Sequence, residues 1–148
     1  MVKATTAAFF RVLLAPTFGD EKRMLNTVMV VDDSETDLLF ARIVLERSGV
    51  VGRLVLLDSA RDALAFLTDP DKPSVDLILL DINMPGMDGF EFLGRYELQC
   101  AQPVPVVMLT SSPDPADRVR AHSHAFVREF LIKPLDSAAI AGLSGYVR

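Results

Sequence analysis

The sequence predicts an α/β domain in which a parallel sheet carries helices on both faces. Three observations lead there. From Asn26 onward, apolar runs of strand length alternate five times with helical stretches, an order that parallel sheets with crossover helices produce. The run Leu77-Ile78-Leu79-Leu80 is apolar at every position, as suits a strand covered on both faces. Four of the runs end in polar residues: Asp32-Asp33, Asp81, Thr110 and Lys133. In a sheet of this kind all the strand C-termini lie on one edge, where ligand sites form.

The elements follow in order. Val28 to Val31 reads as a buried strand running into Asp32-Asp33. Ser34 caps a helix with an acid, Asp37, at its third position; this helix runs to about Ser48 and stops at Gly49, with Leu38, Ala41, Val44 and Leu45 on its apolar side. Arg53 to Leu57 is a short second strand, expected at an edge. Ser59 caps a second helix whose apolar part is Ala63, Leu64, Phe66 and Leu67, and Asp69-Pro70-Asp71-Lys72-Pro73 ends it as a loop. Leu77 to Asp81 is the third strand, closed by the turn residues Pro85-Gly86. Asp88 caps the next helix with Glu91 at its third position, and at least one of Phe90 and Phe92 belongs to the core. Val104 to Leu109 is the fourth strand, followed by a short helix near Asp114 or Pro115. Phe130 to Ile132 is the fifth, and a last helix, weakened by Gly142 and Gly145, starts at Asp136 or Ser137.

A chain of 148 residues, 50% hydrophobic and 24% charged with a net charge of −5, fits one domain with a sizeable core. The acidic balance and the lack of a basic run argue against nucleic-acid binding. No stretch is long enough to span a membrane, so a cytoplasmic protein is expected. Cys100 is the single cysteine and has no metal-ligand spacing around it, which leaves a partly buried small side chain. Residues 1–25 are set apart as an N-terminal extension, mobile or loosely packed. Arg11 interrupts its apolar patch, so it makes a poor signal peptide, and Asp20 to Arg23 reads as a charged linker. Residues 26–148 form the domain proper. His122 and His124 have no ligand spacing to an acid and read as surface residues.

Taken singly, Asp33 reads as a helix-start acid, Asp81 and Thr110 as turn residues, and Lys133 as a surface charge. Convergence at one edge changes that reading. Crowded carboxylates raise one another's pKa unless a cation sits among them. With only hard oxygen ligands present, Mg²⁺ is the natural candidate. Lys133 adds a mobile positive charge and Thr110 a hydroxyl donor, so the pocket suits a phosphoryl group. Asp81 is then either a ligand or the acceptor of an acyl phosphate. No Gly-rich phosphate loop is present, so a nucleoside triphosphate is not expected. An aspartyl phosphatase is disfavoured because Asp32-Asp33 lacks the spaced acid pair of such enzymes.

The segments Val30-Val31-Asp32-Asp33-Ser34, Leu79 to Gly89, Leu109-Thr110-Ser111 and Ile132-Lys133-Pro134 together resemble the receiver domain of two-component response regulators, over about residues 26–148. The resemblance is to the small chemotaxis-type and phytochrome-partner regulators. It implies a flavodoxin-like (βα)5 fold with strand order 2-1-3-4-5. It implies that Asp81 accepts a phosphoryl group from a sensor histidine kinase or a histidine phosphotransfer domain, with Mg²⁺ as cofactor. Asp32, Asp33 and Asp81 would hold the ion with the backbone carbonyl of Asn83. Lys133 would contact the phosphoryl oxygen, beside a proline whose peptide bond is commonly cis. Thr110 and Phe130 would form the switch, with Phe130 turning inward as Thr110 moves.

Such a domain is not an enzyme in the ordinary sense, although it catalyses its own phosphoryl uptake and hydrolysis. Only one short helix follows Lys133-Pro134, so the expected output is contact with a downstream protein target or phosphoryl relay, with a homodimer as a further candidate. Two departures bear on that surface: Phe130 lacks the hydroxyl of the usual switch tyrosine, and the last helix is glycine-weakened. A receiver-like scaffold that works without phosphorylation is the alternative, and it would need no intact acid set.

Overall fold

The computed structural model describes residues 11–14 and 25–147. The linker expected at Asp20 to Arg23, and the rest of the expected extension apart from residues 11–14 and Leu25, lie outside the described residues. The elements are strands β1 (Arg11–Leu14), β2 (Leu25–Val31), β3 (Val51–Leu57), β4 (Leu77–Asp81), β5 (Val106–Thr110) and β6 (Val127–Ile132). The helices are α1 (Glu35–Ser48), α2 (Ala60–Leu67), α3 (Gly89–Gln99), α4 (Pro115–Ala121) and α5 (Ser137–Ala141), and a 3-10 turn follows at Leu143–Tyr146. The sheet order is β1-β3-β2-β4-β5-β6. Strands β2 to β6 are parallel throughout and stand in the expected flavodoxin-like order.

One strand was not expected. Residues 11–14 form β1, which pairs antiparallel with β3 in the register Arg11↔Leu56 to Leu14↔Arg53. Strand β3, expected at an edge, is therefore covered by backbone hydrogen bonds on both sides.

Alternation within the parallel strands builds two cores. Val28 and Val30 of β2 and Leu77 and Leu79 of β4 face the side of Leu38 and Leu45 of α1 and Ile140 of α5. Met29, Val31, Ile78 and Leu80 face the other side, with Ala63 of α2 and Phe92 and Leu93 of α3. Each of these strands is buried along both faces, and every aliphatic side chain so buried contributes about 1.5 to 3 kcal/mol. This doubly covered sheet fixes where the strands end.

The starts and stops follow local chemistry. The Ser34 hydroxyl accepts from the Asp37 N–H at the start of α1, and Gly49 ends that helix at φ 74°, a left-handed conformation that glycine adopts without steric cost. Ser59, Asp88, Asp114 and Asp136 cap the other helices. Helix α3 runs through Gly94. The Lys133-Pro134 peptide bond is cis. His124 departs from its expected surface role: its ring pairs with Glu97 of α3 and packs against Phe126. No helix among the described residues is long and apolar enough to cross a membrane.

Candidate functional site

The C-terminal rim of the sheet brings the acids together. Asp32 follows β2 directly, Asp33 is next to it, and Asp81 is the last residue of β4, the strand that pairs with β2. Carboxylate oxygens of Asp32, Asp33 and Asp81 lie within 4.8 Å of one another. Asp32 is 2% exposed and Asp81 7% exposed, while Asp33 faces solvent.

Lys133 reaches into this group from the end of β6. Its Nζ lies 2.7 Å from Asp32 Oδ2 and 3.1 Å from Asp81 Oδ1. A third carboxylate, Asp37 on the first turn of α1, stands 2.9 Å away. The ammonium donates hydrogen bonds to Asp32 and Asp37 and forms an ion pair with Asp81. Asp37 was missed as a site residue because a helix-start acid has a sufficient local role. The one available signal was its position in the first turn of a helix that starts at the acidic rim.

The electrostatics leave the group short of positive charge. Burial, with Asp32 close by, raises the Asp81 carboxyl to about 6. Asp32 is also raised, by burial above all, against the opposing pull of its bond to Lys133. Burial works against the Lys133 ammonium too, but its hydrogen bonds to Asp32 and Asp37 outweigh it and raise its pKa. One lysine among four acids therefore does not neutralise the rim. An oxygen-only donor set with excess negative charge fits a hard divalent cation.

The other expected residues lie around this group, not in it. Thr110 ends β5 and is buried, but its hydroxyl accepts from the Ser112 N–H and donates to the Ser112 carbonyl. Asn83 is exposed in the loop after Asp81. Phe130 is 4% exposed and already lies inward, with the Arg118 guanidinium of α4 5.2 Å from its ring centroid. On the α1 side, Asp32, Asp37, Lys133, Phe40 and Pro134 border a cavity of about 360 Å³.

Against this geometry, comparisons with known proteins agree with one another. A family model described as the response regulator receiver domain matches residues 28–143. The two-component response regulator ORR1 of Oryza sativa subsp. japonica is 31% identical over 127 residues, covering 82% of this chain and 54% of that protein. The chain thus spans about half the length of that relative. Response regulator Rcp1 of a Synechocystis strain is 32% identical over 109 residues, covering 70% of this chain and 74% of Rcp1. Among solved structures, a two-component response regulator from Cytophaga hutchinsonii superposes with a TM-score of 0.77 at 27% identity, covering 84% of this chain and 98% of that one. The Mn(2+)-bound form of Rcp1 gives a TM-score of 0.64 at 29% identity, covering 80% and 89% of the two chains.

Proposed function

The chain belongs to the response regulator receiver domain family of two-component systems, and from that premise we propose that Asp81 accepts a phosphoryl group from a phosphohistidine donor. The donor is a sensor histidine kinase or a histidine phosphotransfer domain, and residues 26–148 are the unit that responds. One observation supports this most: the Lys133 ammonium stands 3.1 Å from the Asp81 carboxylate beside three acids whose oxygens lie within 4.8 Å. A scaffold working without phosphorylation has no use for so costly a cluster.

In the proposed transfer an Asp81 oxygen attacks phosphorus in line. The new O–P bond forms as the P–N bond to the donor imidazole breaks, and the imidazole leaves with its electron pair and takes a proton. Asp32, Asp33 and Asp81, with the Asn83 carbonyl, are the residues that would hold Mg²⁺. Bound there, the ion would offset the charge on the transferring oxygens. Lys133 gives up its bond to Asp81 and donates to a phosphoryl oxygen. Thr110 exchanges the Ser112 carbonyl for another phosphoryl oxygen. Because Phe130 already lies inward, the proposed switch is a shift in the population of that inward position. The α4-β6-α5 surface then presents a different face to a downstream protein, or to a second copy of this chain.

The test is incubation with Mg²⁺ and acetyl phosphate, followed by intact-protein mass. The expected result is one phosphoryl adduct that is absent in Asp81→Asn. A wild-type protein that takes no adduct from that donor or from a phosphorylated histidine phosphotransfer domain overturns the reading in favour of the scaffold.

A further inference from the structure

Helices α1, α2 and α3 each begin with a cap residue that accepts from the N–H of an acid three positions on, and the acids are used differently. At α3, Asp88 accepts from the Glu91 N–H at 2.9 Å and the Glu91 carboxylate returns to the Asp88 N–H at 3.4 Å, closing a reciprocal cap. At α1, Ser34 accepts from the Asp37 N–H at 3.2 Å, but the Asp37 carboxylate does not return. It bonds to Lys133 at 2.9 Å across 96 residues of sequence, and the Ser34 N–H is taken by Asp32 Oδ1 at 3.0 Å. At α2, too, only the serine half of the cap is formed, with Ser59 accepting from the Asp62 N–H, so what sets α1 apart is the bond between its acid and Lys133.

Asp37 also differs from the other partners of Lys133. Asp32 and Asp81 both belong to the group able to hold a cation, and Asp37 does not. An ion held by that group would draw on both of the other partners, leaving Asp37 as the acid that serves the lysine alone. Lys133 lines the cavity between α1 and the loop after β6. The ammonium therefore has open space to swing into, and a long flexible side chain takes such freedom readily.

We infer that Asp37 is a positioning residue: from the first turn of α1 it anchors the Lys133 ammonium beside Asp81, so that the lysine is already in place when the phosphoryl group arrives. The inference rests on the phosphoacceptor reading of Asp81, and it adds a residue on a different element from any assigned above. It also ties the phosphoryl site mechanically to α1.

The experiment compares wild type, Asp37→Asn, Asp37→Ala, Lys133→Ala and the double variant Asp37→Ala/Lys133→Ala. Each is given Mg²⁺ and acetyl phosphate, and the initial rate of adduct formation is read by intact mass. Loss of one charge-assisted hydrogen bond predicts a rate on the order of tenfold lower in Asp37→Ala. Asp37→Asn, which keeps an acceptor oxygen, should fall between it and wild type. In the Lys133→Ala background the same Asp37→Ala change should have no further effect, since the anchored group is gone. Mg²⁺ affinity by calorimetry should change by less than about threefold in Asp37→Ala. The Lys133 ammonium, held by its bonds to Asp32 and Asp37, should give a slowly exchanging signal in Mg²⁺-loaded wild type and none in Asp37→Ala.

Equal rates in Asp37→Ala and wild type overturn the inference while leaving the phosphoacceptor reading intact. So does an Asp37→Ala penalty that persists without Lys133. A wild-type protein without any adduct ends the phosphoacceptor reading and the inference together.

Discussion

The starts of α1 and α3 are the most instructive pair of regions in this molecule. Both place a cap residue three positions before an acid, and both follow a strand that ends at the same rim. At α3 the pattern closes on itself through Asp88 and Glu91. At α1 it opens, and the acid joins a lysine that also bonds Asp32 from 101 residues away. The difference lies in what stands across the rim. Opposite α1 is the end of β6, which supplies a half-buried cation. A cap residue followed three positions on by an acid therefore makes a closed structural cap in one place and part of a charged network in the other.

The largest effect should come from removing the cation that holds the α1 side open. In Lys133→Met the nearly buried Asp32 and Asp81 carboxylates lose their partner, and Asp37 loses its reason to leave the cap. A loss of about 3 kcal/mol at pH 7 without divalent ions is expected. Urea unfolding should show that loss shrinking when Mg²⁺ is added, or when the pH is lowered enough to protonate the acids. A loss indifferent to both would mean that the rim does not act as one electrostatic unit.

Next in size is Asp81→Asn, with the opposite sign. The Asp81 carboxyl is raised to about 6 from 3.8, so between those values the folded chain binds a proton that the unfolded chain has released. Stability therefore falls as pH rises through that window, and the contribution of the protonated carboxyl is lost in full above about pH 6. In the metal-free protein, linkage puts that loss on the order of 2 to 3 kcal/mol at pH 7. Asp81→Asn should be more stable than wild type by about that amount at pH 7 and equal to it near pH 4. Divalent-ion affinity should weaken as pH falls through about 6, because protonated Asp81 is a poorer ligand. A difference between the two proteins that stays flat from pH 4 to 7 would refute the raised carboxyl.

A third substitution probes how closely the α3 start is fitted to the site. A Cβ on Gly89 would stand 2.7 Å from the Asp81 carbonyl oxygen and 3.0 Å from Ile82 Cα, both backbone atoms that cannot turn aside. Gly89→Ala should cost about 1 to 3 kcal/mol in thermal unfolding and disturb phosphoryl uptake by shifting Asp81. A neutral result would show that the loop from Ile82 to Asp88 can move without disturbing the acid.

How much of this was legible in the sequence depends on the range of the interaction. The parallel strands and their helices were legible because apolar runs and caps are local signals. The convergence of Asp32, Asp33, Asp81 and Lys133 was legible because a parallel sheet puts its strand ends on one edge. Strand β1 was not, since four residues that open on Arg11 within an apolar stretch carry no period, and their role is set by pairing with β3. The pairing of His124 with Glu97 spans 27 residues between separate elements, which no local spacing announces. Asp37 is the sharpest case: as an acid three positions after a serine cap it matches Asp62 of α2, and only the fold brings a lysine to it.

The smallest predicted effect is the control that gives this comparison its force. Glu91→Ala removes the returning half of the α3 cap and leaves the Asp88 half in place. The bond it breaks is long, at 3.4 Å, and lies at the surface, so the cost should be about 0.5 kcal/mol. Adduct formation on Asp81 and Mg²⁺ affinity should both match wild type. Asp37→Ala should cost a similar small amount in stability, because its carboxylate is 43% exposed and the Ser34 half of its cap survives. The two variants would then be alike in urea and unlike in phosphoryl uptake. If Glu91→Ala slows uptake as much as Asp37→Ala does, the effect belongs to loosened helix starts in general, and the long-range bond to Lys133 loses its special standing.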